Sequence, residues 1–244
     1  MTRKGDYGFD APYVLVGFAL AFIAGAASFS YGRALGDDTL QWIGVYGLAI
    51  GVLCGGAFFY ATRIGKHVVW GALLDELALA GDETVLDVGC GRGAVLLAAA
   101  ERVPRGKAIG IDIWSRRDQS GNAEAVTRRN AELEGVSEQV ELVSCDMRTL
   151  ALPDASVDVV VSSLAIHNIP AAAERAKALA EIMRVLKPGG RFVIADIKFV
   201  RDYAAELSRL GASAVTRGLG PRLWFGGPFM ATSAAIGAKT AAPS

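Results

Sequence analysis

Residues 84–93 read Thr84-Val85-Leu86-Asp87-Val88-Gly89-Cys90-Gly91-Arg92-Gly93, an apolar strand that runs into a glycine-rich turn. A helix-forming run, 94–102, follows at once. Glycines at alternate positions let the backbone turn sharply and leave no side chain between it and a bound ligand. A second apolar run, 108–111, ends in Asp112, nineteen residues beyond Gly93. Strand, glycine turn, helix, strand and acid in this order are typical of a nucleotide-binding βαβ unit, in which the acid accepts hydrogen bonds from the ribose.

The spacing of the glycines indicates which nucleotide binds. A dinucleotide turn reads G-x-G-x-x-G and places a pyrophosphate on the helix N-terminus. Here the pattern is Asp87-x-Gly89-x-Gly91-x-Gly93, and the carboxylate would repel a diphosphate but could orient a cationic ligand that carries an amino acid. This segment resembles motif I of the class I S-adenosylmethionine-dependent methyltransferases. The resemblance extends over about 150 residues, from Asp82 to Lys239.

The resemblance implies the fold and the cofactor. The expected fold is α/β, a Rossmann-like, doubly wound, seven-stranded and mostly parallel sheet whose last strand is antiparallel. The expected cofactor is S-adenosylmethionine. Its expected contacts are Asp87, Gly89 and Gly91 for the amino-acid part, Asp112 with its neighbour Ile113 for the ribose side, Asp146 and Met147 for the adenine, and Ser162 with Ser163 at the methyl-transfer end. A carboxylate suits the adenine amino group, and a methionine can pack against the ring.

Three further residues lie near the predicted site. Two of them have alternative interpretations, and the third has an expected role in capping a helix. His167 follows the central strand at its carboxyl end, where open α/β sheets bind ligands, and is either a general base or a structural residue. Trp114 lies either against the adenine or at the edge of the core. Asn122 is expected to cap the helix 123–134.

Composition excludes several classes of function. Lys and Arg number 25, and so do Asp and Glu, so the chain has no electrostatic footprint for nucleic acid. Cys54, Cys90 and Cys145 have no metal-binding or disulfide spacing, so we expect no metal and a reducing compartment.

The N-terminal region is predicted to be a transmembrane hairpin. Residues 13–31 and 39–62 contain no charged side chain, and the first run would span about 28 Å as a helix, close to the hydrocarbon core of a bilayer. We therefore expect a hairpin domain over 1–66 and a catalytic domain over 67–244. Gly17, Ala21 and Gly25 share one face of the first helix, and Gly47, Gly51 and Gly55 share one face of the second. These small residues favour packing within the hairpin, with a homodimer through the same face as the lesser alternative.

The flanking charges predict the topology. Arg3 and Lys4 precede the hairpin, and Arg63 and Lys66 follow it, which favours an integral membrane protein with its catalytic domain in the cytoplasm. A signal peptide is the weaker alternative, because it would leave the second apolar run unexplained. The long loop 217–230 has three interpretations: a wall of the acceptor pocket, a contact with lipid headgroups through its arginines, or a satellite core.

The sequence thus predicts methyl transfer from S-adenosylmethionine to a small, apolar or membrane-associated acceptor: a quinone, a fatty acid, a lipid or a thiol. Two other classes stay open. One is a non-catalytic membrane protein that binds S-adenosylmethionine as a sensor or scaffold. The other is a nicotinamide oxidoreductase, which shares the fold but is disfavoured by the glycine spacing and by Asp146-Met147.

Overall fold

Two long helices form the N-terminal part of the computed structural model, which describes residues 3–241. Helix α1 spans Pro12–Leu35 and helix α2 spans Asp38–Glu76. Gly36 adopts a left-handed conformation (φ 68°) and ends α1, while the Asp37 side chain accepts a hydrogen bond from the Leu40 amide and caps α2. Helix α2 contains two π-helical segments, Ile50–Cys54 and Ala61–Gly65, but is continuous throughout.

The two helices pack against each other through their glycines. A Cβ atom placed on Gly44 would lie 2.5 Å from the Phe29 backbone nitrogen, and one placed on Gly25 would lie 2.6 Å from the Leu48 nitrogen. Only glycine permits this approach of the two backbones. The predicted packing within the hairpin is therefore confirmed for Gly25, whereas a Cβ atom placed on Gly17 would have no neighbour within 4 Å.

Both helices are long and apolar enough to cross a membrane. Their outward-facing side chains include Leu20 and Ile23 on α1, and Ile43 and Leu53 on α2, each more than half exposed. The predicted domain boundary at residue 66 falls inside α2, whose last part, Lys66–Glu76, packs on the sheet. The hairpin and the α/β domain therefore share one helix.

The α/β domain contains a seven-stranded sheet in the order β3-β2-β1-β4-β5-β7-β6. All pairs are parallel except those of β7, which is antiparallel to both β5 and β6. The predicted Rossmann-like sheet is thus confirmed in strand number and direction. The strands are β1 Thr84–Val88, β2 Lys107–Asp112, β3 Val140–Ser144, β4 Val157–Ser163, β5 Leu186–Asp196, β6 Ala212–Gly218 and β7 Ser233–Lys239.

Helices cover both faces of this sheet. The end of α2 packs on one face with α3, through Trp70, Leu74 and Ala99 against Val159 of β4. The other face is covered by α5 and α6. Strand β4 is buried on both faces, which explains its continuous apolar sequence. The remaining helices are α3 Leu96–Ala100, α4 Glu124–Glu134, α5 Ala172–Val185 and α6 Val200–Arg209; α3 is shorter than predicted.

The loop between β6 and β7 forms a satellite core with the hairpin. Leu223 and Phe225 are buried against Phe58 of α2, and the Phe225 and Phe58 rings lie 5.7 Å apart, edge to face. The satellite-core interpretation is confirmed for these two residues. The guanidinium of Arg217 pairs with Glu76 (2.8 Å) at the end of α2, and the headgroup contact of the loop stays a prediction. The side chain of Phe229 lies outside the part that the structure describes.

Candidate functional site

The glycine turn lies at the carboxyl end of β1, as predicted. Gly89 and Gly91 have positive φ angles of 76° and 50°. A Cβ atom on Gly89 would overlap the Ala165 Cβ, and one on Gly91 would overlap the Gln119 Oε1. Both positions therefore require glycine for conformation and for space.

Asp112 at the end of β2 is tied to this turn. Its Oδ2 accepts a hydrogen bond from the Gly91 amide (2.8 Å), and its Oδ1 accepts from the Trp114 amide and from the Asn122 side chain (3.3 Å). Burial raises the pKa of Asp112 against these hydrogen bonds. Three protein donors already hold the carboxylate, so room remains for about one more hydrogen bond from a ligand hydroxyl.

Asn122 does not cap the following helix. The residue at that position is Ala123, which makes no side-chain hydrogen bond to the helix, and Asn122 donates to Asp112 instead. Trp114 lies at the edge of the core: its indole nitrogen donates to Ser144 Oγ (2.6 Å) and its ring packs beside the cluster around Tyr7. Its backbone is left-handed, with φ 59°.

Asp87 is the most strongly perturbed carboxyl group in this site. It is 1% exposed, and neither oxygen has a hydrogen-bond partner of normal geometry in the described residues. Burial, together with the nearby Asp112 carboxylate, raises the pKa of Asp87 to about 8, although the Leu96 amide and the charge of Lys66 lower it. At neutral pH the group is therefore mostly protonated, and a bound cation would favour its ionised form.

The loop after β3 brings Asp146 and Met147 to the same edge. Arg148 Nε donates to both carboxylate oxygens of Asp146 (3.0 Å each) and lowers the pKa of that carboxyl. The half-buried Met147 lies beside the glycine turn, since a Cβ on Gly89 would be 3.6 Å from its Cε. Ile113 is 66% exposed at the end of β2.

Ser162 and Ser163 have structural hydrogen bonds. Ser162 is buried and its hydroxyl donates to the Val88 carbonyl (2.7 Å), which ties β4 to β1. The Ser163 hydroxyl accepts from the Trp70 indole nitrogen of α2 (2.9 Å). Ser162 therefore holds the strand that precedes the glycine turn. Its buried hydroxyl does not line an open part of the site where methyl transfer would take place.

His167 has a carboxylate partner that the sequence analysis did not assign. Its Nδ1 lies 2.6 Å from Asp196 Oδ1, although without the angle of a regular hydrogen bond. The Asp196 Oδ2 accepts from the His167 amide (3.0 Å) and from the Tyr203 hydroxyl (3.3 Å). Asp196 is fully buried at the end of β5. A carboxylate that holds a histidine in this way stabilises the imidazolium that forms when the ring takes up a proton.

The segment 5–11, which precedes α1, also belongs to the site. Asp6 pairs with Arg92 of the glycine turn (2.7 Å), and Asp10 pairs with Lys66 of α2 (2.7 Å). Between them, Gln119 accepts a hydrogen bond from the Arg92 amide (2.8 Å) and donates to Asp10 (3.3 Å). The sequence analysis missed this network; the charged Asp10 immediately before an apolar helix was the available signal.

Comparisons with known proteins agree with this geometry. Residues 86–194 match the family described as "Methyltransferase domain". The chain is 30% identical over 131 residues to the sterol 4-C-methyltransferase of Caenorhabditis elegans, over 54% of this chain and 36% of that protein. It is 32% identical over 131 residues to the demethylmenaquinone methyltransferase of Thermus thermophilus, over 53% of this chain and 54% of that protein. The chain thus spans about half or less of the length of these relatives.

A solved S-adenosylmethionine-dependent methyltransferase from Aquifex aeolicus has the same fold. The TM-score is 0.55 at 21% identity, over 69% of this chain and 88% of that one. The family match identifies a methyltransferase domain within the chain, and the solved structure shows that this domain has the fold of an S-adenosylmethionine-dependent methyltransferase.

Proposed function

We propose that this chain is a membrane-anchored enzyme that transfers a methyl group from S-adenosylmethionine to a small apolar acceptor. The observation that carries the proposal is Asp87, a buried carboxyl group without a hydrogen-bond partner in the described residues, beside the glycine turn. A ligand with a positive charge would favour the ionised carboxylate and be stabilised by it, whereas a diphosphate would keep the group protonated and gain no such stabilisation. The donor contributes a methyl group on a cationic sulfur, which is already activated for transfer.

The cofactor contacts are assigned to the residues that converge at the carboxyl edge. Gly89 and Gly91 would lie against the amino-acid part, and the ionised Asp87 would stabilise its charge. Asp112 would accept a ribose hydrogen bond beside the exposed Ile113. Asp146 and Met147 would contact the adenine, while Ser162 holds β4 and β1 in register. Each residue mainly positions the donor, and orientation can lower the barrier by roughly 7–11 kcal/mol.

His167 is proposed as the general base. Its pairing with the buried Asp196 orients the ring and would stabilise the imidazolium after it removes a proton from the acceptor. The proton would move from the acceptor to the ring nitrogen that faces away from Asp196.

The membrane anchor supports an apolar acceptor. Residues 5–11 dock on the α/β domain at one end of the hairpin, and the end of α2 docks at the other. Both ends of the hairpin would therefore lie on the side of the bilayer that holds the domain, which agrees with cytoplasmic flanks rich in Lys and Arg. The two relatives are named for a sterol and for demethylmenaquinone, and both compounds fit such an acceptor. A homodimer stays a prediction, although packing within the hairpin occupies the glycine face that the homodimer would use.

The test is methyl transfer in proteoliposomes. Purified protein, methyl-labelled S-adenosylmethionine and a bacterial lipid extract are combined, and the label is counted in the extracted lipids. We expect transfer by the wild type and by Asp118→Ala, and strong loss for Asp112→Ala on the same loop. A sensor or scaffold would be stabilised by S-adenosylmethionine without transferring label. An oxidoreductase would show a thermal shift with NAD and none with S-adenosylmethionine.

A further inference from the structure

The direction of α2 relates the membrane hairpin to one edge of the sheet. Lys66 pairs with Asp10 beside the glycine turn, at the carboxyl edge. Leu77, the residue after α2, lies towards the opposite, amino edge of the sheet. Its carbonyl accepts a hydrogen bond from Arg191, which is near the beginning of the part of β5 that pairs in parallel with β4. The last part of α2 therefore runs antiparallel to the strands, and its earlier part leaves the domain at the carboxyl edge.

The distance between this edge and the apolar part of α2 is short. Trp70 is level with the end of β4, because its indole nitrogen donates to Ser163. Arg63 lies seven residues earlier, which is about 10 Å along a helix. Just before Arg63, the side chains of Phe59 and Tyr60 are exposed at 49% and 39%, at the end of the uncharged run. The carboxyl ends of the strands thus lie about two helical turns from the start of the apolar segment.

The space between the sheet and the hairpin is filled by apolar side chains. Leu164 and Ile197, which follow β4 and β5, pack against the cluster that contains Phe58 and Phe225. Leu164 is three residues from His167. The loop between β6 and β7 packs closely on α2, because a Cβ atom placed on Gly65 would overlap the Arg222 carbonyl oxygen. Packed apolar side chains therefore connect the neighbourhood of the predicted base to the hairpin.

We propose that the carboxyl edge of the sheet faces the bilayer surface, and that the acceptor is an amphiphile whose apolar chain stays in the adjacent leaflet while its reactive head reaches His167. This inference rests on the proposed function, and in particular on the insertion of the hairpin. The continuous α2 argues for it, since a rigid helix that leaves the domain at one edge directs that edge towards the membrane. A domain on a flexible tether would have no fixed orientation.

The orientation is tested with spin labels in proteoliposomes that contain nickel-chelating lipids. A variant with Cys54, Cys90 and Cys145 replaced by alanine carries one label, at Arg222→Cys near the carboxyl edge or at Glu138→Cys before β3, at the amino edge. Both side chains are exposed. We expect strong relaxation by nickel at the first position and none at the second. Equal relaxation at the two positions, or a stronger effect at the second, would overturn the proposal.

Two further measurements separate this inference from the proposed function. Flotation of the labelled protein with the vesicles reports insertion, and its loss would overturn both the anchor and the orientation. Methyl transfer is then measured with protein-free vesicles that carry the lipid extract and a separable density marker. A leaflet-bound acceptor is labelled only in the vesicles that contain the protein. Equal labelling in both vesicle populations refutes an acceptor that stays in the leaflet next to the protein. Absence of label in both populations refutes methyl transfer, and the nickel relaxation then decides the orientation on its own.

Discussion

Replacement of Asp87 by asparagine should stabilise the cofactor-free protein in a pH-dependent way. Burial and Asp112 raise the pKa of Asp87 from 3.8 to about 8. The folded state therefore binds more protons than the unfolded state between these two values, and stability falls as the pH rises from about 4 to about 8. Each pH unit corresponds to about 1.4 kcal/mol, so the cost of the carboxylate at pH 7 is on the order of 4 kcal/mol.

The assay is thermal unfolding of the detergent-solubilised protein from pH 5 to pH 8. Over these three pH units the Tm of Asp87→Asn should gain roughly 8–16 °C on that of the wild type, given about 2–4 °C per kcal/mol for a chain of this size. Asp146→Asn is the matched control. Hydrogen bonds from Arg148 lower the pKa of Asp146, so its contribution is complete above about pH 4 and its effect should stay constant over the same range.

Asp87→Asn should also bind S-adenosylmethionine about 10- to 100-fold more weakly than the wild type, as expected for the loss of one charge-assisted contact. Wild-type affinity should rise from pH 6 to pH 8 relative to Asp87→Asn, because binding must ionise Asp87, while the titration of the ligand itself is common to both proteins. Parallel Tm curves for the two proteins across the pH range would refute the assignment of a neutral, buried Asp87.

Three further outcomes are expected. Gly44→Ala should lower the Tm in detergent by an amount equivalent to about 1–3 kcal/mol, because its Cβ would lie 2.5 Å from Phe29, whereas Gly56→Ala, with nothing within 4 Å, should not; equal effects would contradict the hairpin packing. Asp196→Asn should reduce kcat about 10- to 100-fold with little change in the KM for S-adenosylmethionine, as measured by label transfer, and an unchanged kcat would argue for a structural His167. Gln119→Leu should weaken S-adenosylmethionine binding in calorimetry, because it leaves the Arg92 amide of the glycine turn without a partner at a cost of about 1–3 kcal/mol. An unchanged affinity would show that the loop with Gln119 does not shape the cofactor site.

The sheet was predictable because its signals are local. The run 84–93 contains a strand and its turn within ten residues, and the positive φ angles of Gly89 and Gly91 follow from the lack of a side chain. The buried β4 could be predicted in the same way from its continuous apolar sequence. Asp112 also lies where the βαβ pattern predicts it, at the end of β2.

The partners of these residues were not predictable, since they come from distant parts of the chain. Asp196 is 29 residues from His167, and only the pairing of β4 with β5 brings them together. Asn122 has the residue type of a helix cap, yet its side-chain nitrogen donates to Asp112 and its side-chain oxygen does not accept from the helix start. Local propensity cannot decide between two such partners, because the second exists only after the sheet has formed.

Helix α2 links the apolar hairpin and the candidate site into one structural unit. The sequence predicted a membrane helix that ends near residue 62, but the helix continues to Glu76 and forms part of the domain core. A shift of α2 by one residue would rotate its side chains by about 100°. Such a shift would take Trp70 from Ser163 and Lys66 from Asp10 at the same time. The π-helical segment at Ala61–Gly65 lies directly before these contacts, and its wider turn sets the rotation between the apolar part of α2 and the part that packs on the sheet. Because Asp10 also holds Gln119 against the glycine turn, the register of this apolar helix and the shape of the candidate site are set by the same contacts.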